Sequence, residues 1–250
     1  MKGKIRHSWL TELLFEHEVL TAGQDAYRRP GGEITPATQQ YDRAELLGSY
    51  QSSEPPRTFA AYRIILSQLF DAKRQRLFDL LAAEPVMRSA TTEWSPRSSV
   101  TNANIARVLV PFVVKALEQS YEFNAPPVEF APAAGFLGTY DSRHHKITLS
   151  PQLFGSSCKE FLDTLIHEEI HALQGELLAL LNVQRRGRIL TPVERAIAQY
   201  WKNEEPKYRS ALAAGSQMSP DTKRRYLLIG QEFHAWTTGH FVASKLTGRS

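Results

Sequence analysis

The chain has 250 residues, of which 42% are hydrophobic and 22% charged, so it can bury a proper core and is not wholly disordered. Its formal net charge of +4 is too small to indicate nucleic-acid binding by itself. The single cysteine, Cys158, excludes an intrachain disulfide framework.

The first twenty residues begin basic but contain no uninterrupted apolar run, because charged residues from Glu12 to Glu18 break it. This pattern predicts neither a Sec signal peptide nor a membrane anchor. We therefore expect a cytoplasmic protein, or an effector-like protein that is exported without a Sec signal. Residues 21–58 are rich in Gly, Pro, Ser, Thr and Gln and are predicted to form a loop or linker.

Apolar residues recur at helical spacing over residues 59–83, which predicts an amphipathic helix. Residues 89–101 form a second breaker, and we place a domain boundary there. The chain is thus divided into a helical N-terminal region of unknown role, residues 1–95, and a second domain, residues 96–250. Residues 104–123 predict a helix that is kinked or broken at Pro111.

Three short β-type segments follow, at residues 128–130, 135–140 and 146–150, and turn residues between the last two predict a hairpin. Residues 159–182 have helical apolar spacing. Thr191-Pro192-Val193-Glu194 is typical of a capping box at a helix start, and Ser219-Pro220-Asp221 predicts the start of the last helix. The expected fold class is α+β, mostly helical with a small antiparallel or mixed sheet.

The predicted helix 159–182 contains the run LIHEEIHALQG, in which His167 and His171 are four residues apart. Residues i and i+4 of a helix lie about 5–6 Å apart at Cβ, so both imidazoles can reach one ion. Glu168 is offset by one residue, which places its carboxylate over the open coordination position. This pattern predicts a Zn²⁺ site with Glu168 as the general base.

A catalytic zinc shell needs a third protein ligand. In RRYLLIGQEFHAWTTGHF, Glu232 is a carboxylate on an otherwise apolar helical stripe, and such a carboxylate needs a cation or a donor when buried. We predict Glu232 as the third ligand. His240 and His234 are alternative ligands, and a salt bridge to Arg225 is the alternative role for Glu232.

Other polar features are open to two interpretations. Three basic clusters could contact phosphate or could be solvated surface: Lys73-Arg74-Arg76, Arg185-Arg186-Arg188 and Lys223-Arg224-Arg225. Cys158 lies just before the motif helix, and a packed or surface thiol is favoured over a nucleophile. His144 and His145 are predicted to be turn and edge-strand residues.

Residues 134–175 resemble the central part of zincin metallopeptidases, which have a strand hairpin, a loop and a His-Glu-x-x-His helix. The resemblance implies that KITLS, residues 146–150, is the strand that pairs with an extended peptide substrate. Ala172 and Gln174, together with Glu232 and Ala235, are similar to gluzincins, which include metallopeptidase domains of bacterial toxins and effectors. Metzincins are excluded, because the third metzincin His is replaced by Leu177.

The same run is similar to SprT-like proteases, which take a third His soon after the motif. No His occurs here between His171 and His234. This alternative predicts a DNA-associated protease with His240 as third ligand.

We expect a zinc-dependent endopeptidase that acts on a protein or peptide, with Tyr226, Tyr208 and His240 as candidates for stabilising the reaction intermediate. A non-catalytic, zinc-stabilised interaction protein remains a further alternative.

Overall fold

The structure is a computed structural model that describes residues 55–56, 59–132, 136–182, 189–214, 226 and 229–248. The described residues are mostly helical with a small mixed sheet, which confirms the α+β expectation. The helices are α1 (Phe59–Ala83), α2 (Pro85–Glu93), α3 (Ser99–Tyr121), α4 (Cys158–Asn182), α5 (Pro192–Ala214) and α6 (Gly230–Thr247). The strands are β1 (Val128–Phe130), β2 (Gly138–Asp141) and β3 (Lys146–Leu149).

Strand β3 is the centre of the sheet, whose order is β1-β3-β2. It pairs in parallel with β1 and antiparallel with β2, from Gly138 opposite Leu149 to Asp141 opposite Lys146. The hairpin prediction is therefore confirmed, with Asp141 accepting hydrogen bonds from the backbone of Arg143 and His144 in the turn. The expectation that KITLS pairs with substrate is wrong, because both edges of β3 are already paired.

The core lies between the sheet and the helices, and α6 packs along α4. Helix α4 supplies apolar residues on several sides, which is typical of a central helix. They are Phe161, Leu162, Leu165, Ile166, Ile170, Leu173 and Leu177. Its central position explains why the motif residues of α4 are largely shielded from solvent.

Two predicted interruptions of helical structure are corrected: a break at Pro111 is absent, and the breaker at residues 89–101 is confined to residues 94–98. Helix α3 runs through Pro111 without a break. Residues 89–93, the first part of the predicted breaker, belong to α2, so that only a short non-helical link precedes α3.

The capping box at Thr191 is confirmed. The Thr191 backbone donates to the Glu194 carboxylate at 3.0 Å, and the Glu194 backbone donates to the Thr191 hydroxyl at 3.2 Å. The predicted helix start at Ser219 lies outside the described residues.

Helices α1 and α2 precede residue 95 but share one core with the helices that follow it. The Tyr62 hydroxyl of α1 donates to the carbonyl of Gly230, the first residue of α6. The Gly230 backbone in turn donates to Glu204 of α5 at 2.9 Å. Helix α1 thus helps to hold the start of α6. The division of the whole chain at residue 95 stays a prediction.

By length and composition alone, α3 is long and apolar enough to cross a membrane. One face of this helix packs in the core, through Ala106, Leu109, Val113 and Leu117. A core helix passes the same test, so this finding is weak evidence for a membrane span. The absence of a membrane segment stays a prediction.

Helices α4 and α6 approach each other closely at Gly239. A Cβ atom added to this glycine would lie 2.5 Å from Oδ1 and 2.7 Å from the backbone oxygen of Asp163. The backbone oxygen belongs to a helix and cannot swing aside. A residue with a side chain would therefore push the two helices apart.

We expect Gly239→Ala to destabilise the protein by about 1–3 kcal/mol, the usual cost of overpacking. Because a chain of this size loses roughly 2–4 °C in Tm per kcal/mol, thermal unfolding followed by circular dichroism will detect the change. Gly155→Ala is the matched control, since nothing lies within 4 Å of an added Cβ there. Equal melting temperatures for the two variants would contradict the close approach.

Candidate metal centre

The two motif imidazoles face the same point beside α4. The Nε2 atoms of His167 and His171 are 3.0 Å apart, and their rings meet edge to face with centroids 4.6 Å apart. The i, i+4 spacing places both rings on one side of the helix. Trp236 of α6 contacts the His167 ring from the edge, with centroids 5.2 Å apart.

Glu232, in the first turn of α6, completes the cluster from the opposite helix. Its Oε1 lies 3.2 Å from His171 Nε2, and its Oε2 lies 3.6 Å from His167 Nε2. The side chain is only 1% exposed. His167, His171 and Glu232 therefore form a group that could hold a metal ion, with all donor atoms within 4.8 Å of one another.

The spacing of these donors fits one small cation. Two ligands bound at about 2.0–2.1 Å with tetrahedral angles lie roughly 3.3–3.4 Å apart. The two Nε2 atoms are 3.0 Å apart, and each has a different Glu232 oxygen near this distance, Oε1 at 3.2 Å from His171 and Oε2 at 3.6 Å from His167. No large side-chain movement is needed to bring the donors to a single ion.

The carboxylate of Glu232 is held in its ionised form. Burial opposes ionisation, but His171, His167 and a hydrogen bond from Tyr226 outweigh it and lower the pKa of Glu232 to about 2. Burial also opposes charge on His171, yet Glu232 raises the pKa of that imidazole to about 9. The cluster thus attracts positive charge at the point where the three donors meet.

Glu168 lies beside the cluster, against the edge of β2. A Cβ atom added to Gly138 would lie 2.8 Å from Glu168 Cγ and 3.0 Å from its Oε1, so only a glycine lets the strand approach this closely. Burial and the Glu232 charge raise the pKa of Glu168 to about 7, against the opposing effects of His171 and a hydrogen bond from the Tyr140 backbone. A carboxylate with a pKa near neutral suits a group that takes up and returns a proton.

The next residue, Glu169, points elsewhere. It is fully buried, and neither of its carboxylate oxygens has a hydrogen-bond partner among the described residues. Burial, with the nearby charges of Glu118 and Glu168, raises the pKa of Glu169 to about 8, so its carboxyl group is protonated at neutral pH. It does not belong to the metal-holding group.

Two tyrosines lie next to the third donor. The Tyr226 hydroxyl donates to Glu232 Oε1 at 2.6 Å. The Tyr208 ring stacks on Tyr226 with centroids 6.1 Å apart and lies 6.2 Å from the His171 ring. Burial and the Glu232 charge raise the pKa of both phenols, so both keep their protons as donors.

The other candidate histidines lie outside the metal-holding group. His234 is buried, and its ring stacks on Phe70 and Trp201 with centroid distances of 4.3 and 5.7 Å. His240 has its Nδ1 4.0 Å from Asp163 Oδ2, two helical turns beyond Glu232. Of the three ligands that the sequence allowed, Glu232 is therefore the one that the geometry favours.

The remaining polar features take structural roles where they are described. Burial raises the pKa of the Cys158 thiol to about 12, so it packs as an inert residue. His144 contacts Asp141 at 2.6 Å in the hairpin turn. In the first basic cluster, Arg74 pairs with Asp71 at 2.7 Å and lies over the Phe241 ring. The other two basic clusters lie wholly or mainly outside the described residues.

Sequence reasoning missed Gln174 as a residue of the site. Its Oε1 lies 2.9 Å from His171 Nδ1, and its Nε2 donates to the backbone carbonyl of Gln231 at 2.9 Å. The only available signal was a glutamine three residues after the second motif histidine, where a helical neighbour of that ring is expected.

No protein family, curated protein or solved structure matches this chain. Conclusions about its function therefore depend on the geometry and chemistry of the residues themselves.

The contact between Gly138 and Glu168 gives a direct test of this geometry. We expect Gly138→Ala to displace the Glu168 side chain by up to about an ångström. If the site is that of a peptidase, as the sequence predicts, peptide hydrolysis should fall by as much as about 100-fold, because misplacing a reacting group on this scale carries such a cost. Zinc content, measured by atomic emission, should stay unchanged, since the metal donors do not touch Gly138. Gly155→Ala is again the control. Unchanged hydrolysis in Gly138→Ala would contradict the assignment of Glu168.

Proposed function

We propose that the chain is a zinc-dependent endopeptidase of the zincin type, with the two-histidine, one-glutamate donor set of gluzincins. The observation that carries the proposal is the convergence of two imidazole nitrogens and one buried carboxylate within 4.8 Å, with the Glu168 carboxylate beside them. Three protein donors of this kind leave a position open for water, as in catalytic zinc sites, whereas structural sites are closed by four protein ligands.

His167, His171 and Glu232 hold the zinc ion in this proposal. When bound, zinc supplies a Lewis acid that polarises the scissile carbonyl and lowers the pKa of water. Glu168 accepts the proton of the attacking water and returns it to the leaving amine. Its pKa of about 7 leaves it able to do both near neutral pH.

Tyr208 is the donor that we assign to the carbonyl oxygen as it becomes negative, whereas Tyr226 uses its one hydroxyl hydrogen on Glu232 Oε1 and so supports the ligand. Both phenols lie beside Glu232 and keep their protons at neutral pH. Preorganised donors in a water-poor site stabilise developing charge more strongly than donors in bulk water do. His240, the third candidate from the sequence, contacts Asp163 instead and has no part in this mechanism.

The substrate is a protein or peptide that binds in extended form along β2. This strand is the edge of the sheet next to Glu168. The Leu137 carbonyl accepts a hydrogen bond from Ser150, on the side of β3. Polar backbone groups alternate in direction along a strand, so those of Gly138 and Tyr140 point away from β3. The Tyr140 N–H already donates to Glu168, which leaves the groups of Gly138 and the Tyr140 carbonyl for a peptide. An extended peptide can therefore pair with this outer edge.

The role of Glu168 is tested by Glu168→Gln, which keeps the side-chain volume and removes the base. We expect hydrolysis of a quenched peptide library to fall by about 100- to 10,000-fold, the usual contribution of a general base, while zinc stays near one ion per chain. Glu169→Gln is the matched control on the same helix, and it should keep wild-type activity because Glu169 is neutral and faces away from the donors. Full proteolysis by Glu168→Gln would rule out the proposed base. Loss of activity in both variants to the same extent would point to a general defect of α4.

The third ligand is tested by Glu232→Gln, which removes the buried charge without opening a cavity. Chelator competition should show zinc affinity lowered by at least about tenfold, since even residues that only support a ligand contribute that much. His240→Ala should bind zinc as tightly as the wild type. The reverse outcome, with zinc retained in Glu232→Gln and lost in His240→Ala, would favour the SprT-like alternative.

A further inference from the structure

Gln174 connects the two helices that carry the metal donors. It lies on α4, three residues after His171, and is 2% exposed. Its Oε1 faces His171 Nδ1 at 2.9 Å, while its Nε2 lies 2.9 Å from the Gln231 carbonyl and 3.3 Å from His234 Nδ1. One buried amide thus reaches a metal ligand on α4 and the residue before a metal ligand on α6.

The bonding partners determine the orientation of this amide. A backbone carbonyl can only accept a hydrogen bond, so the group that faces Gln231 must be the NH₂ of Gln174. The amide oxygen is then directed at His171, and because an amide oxygen can only accept, His171 Nδ1 must carry a proton. The lone pair of the neutral imidazole is therefore on Nε2.

The Nε2 atom of His171 is the one that faces the cluster, 3.2 Å from Glu232 Oε1 and 3.0 Å from His167 Nε2. A histidine binds a metal only through an unprotonated nitrogen, and the hydrogen bond at its other nitrogen decides which one is available. The contact to Gln174 selects the tautomer that a cation at this point requires.

His234 contacts the NH₂ group of the Gln174 amide. Its ring stacks on Phe70 and on Trp201, with centroid distances of 4.3 and 5.7 Å. Its Nδ1 lies 3.3 Å from Gln174 Nε2 and can accept the second hydrogen of the NH₂ group. The amide has acceptors for both of its hydrogens and cannot flip without losing both bonds.

We propose that Gln174 is a positioning residue that fixes the metal-binding tautomer of His171 and, through the Gln231 carbonyl, the register of Glu232 against α4. The inference rests on the proposed metal site. A single side chain would in this way prepare two of the three donors before the ion arrives.

The test compares Gln174→Met, which keeps the length of the side chain and removes its hydrogen bonds, with Gln174→Glu, which keeps an acceptor for His171. Two quantities are measured in the full chain: zinc affinity by chelator competition, and solvent exchange of the His171 ring N–H by proton NMR of the zinc-loaded protein. Gln199→Met on α5 is the control for the amide-to-thioether change, because the Gln199 amide makes an exposed hydrogen bond to Asn203 at 3.0 Å and does not belong to the metal-holding group. Thermal unfolding of each metal-free variant separates a loss of fold from a loss of positioning.

We expect Gln174→Met to lower zinc affinity by about 10- to 100-fold, as outer-shell substitutions do, and to expose the His171 N–H to rapid exchange. Gln174→Glu should keep a slowly exchanging N–H but lose part of the affinity, less than Gln174→Met does, because a carboxylate accepts from His171 but cannot donate to the Gln231 carbonyl. Gln199→Met should match the wild type. Affinity and exchange in Gln174→Met within twofold of the wild type would overturn the proposal, as would equal losses in the Met and Glu variants.

The outcome stays distinguishable from failure of the proposed function. If the wild type binds no zinc, the peptidase proposal is wrong, and the exchange measurement is then made on the metal-free protein. Protection of the His171 N–H in the wild type and in Gln174→Glu, with its loss in Gln174→Met, would still support the hydrogen bond from His171 Nδ1 to the side chain at position 174. Equal exchange in all three proteins would refute it.

Discussion

The site depends on one buried charge, the carboxylate of Glu232. An ionised carboxylate removed from water costs several kcal/mol unless cations or donors replace its hydration. Here two imidazole nitrogens within 3.6 Å and the Tyr226 hydroxyl replace it. The same arrangement directs the carboxylate and both imidazoles at one point, so the groups that make the buried charge tolerable are those that would share a cation with it.

The position of Glu232 is set by helices that are far from the His-Glu-x-x-His motif in sequence. The start of α6 is held by Tyr62 of α1, which donates to the Gly230 carbonyl, and by Glu204 of α5, which accepts from the Gly230 backbone. Trp201 donates to the Tyr62 hydroxyl at 2.9 Å and so fixes it in turn. Since Glu232 follows Gly230 by two residues, α1 and α5 set the position of the third donor although neither contributes a ligand. The Gly239 approach then fixes the distance between α6 and α4.

What could be predicted from the sequence was local. The i, i+4 histidines, the capping box at Thr191 and the helix of residues 59–83 depend on neighbours within one or two turns, and each is present. The break at Pro111 failed because Pro111 and Arg107 lie on the exposed face of α3, where water can satisfy the carbonyl that proline leaves without a partner. The role of Gln174 and the central position of β3 depend on segments that meet only after folding, and periodicity carries no information about such pairings.

The adjacent residues Glu168 and Glu169 have identical side chains but different surroundings, which give them different roles in the proposed site. Successive residues of a helix point about 100° apart, so one carboxyl group faces the edge of β2 and the metal donors while the other faces Glu118 of α3. Burial raises both pKa values, but only Glu168 has a backbone donor from Tyr140 and the imidazole of His171 to counter it. A general base needs a pKa low enough for its carboxylate to be ionised near neutral pH. It must also lie within hydrogen-bond reach of the reacting water. In the proposed mechanism only the carboxylate next to the first motif histidine meets both conditions, and the offset of one residue in the motif would then decide which glutamate acts as the base.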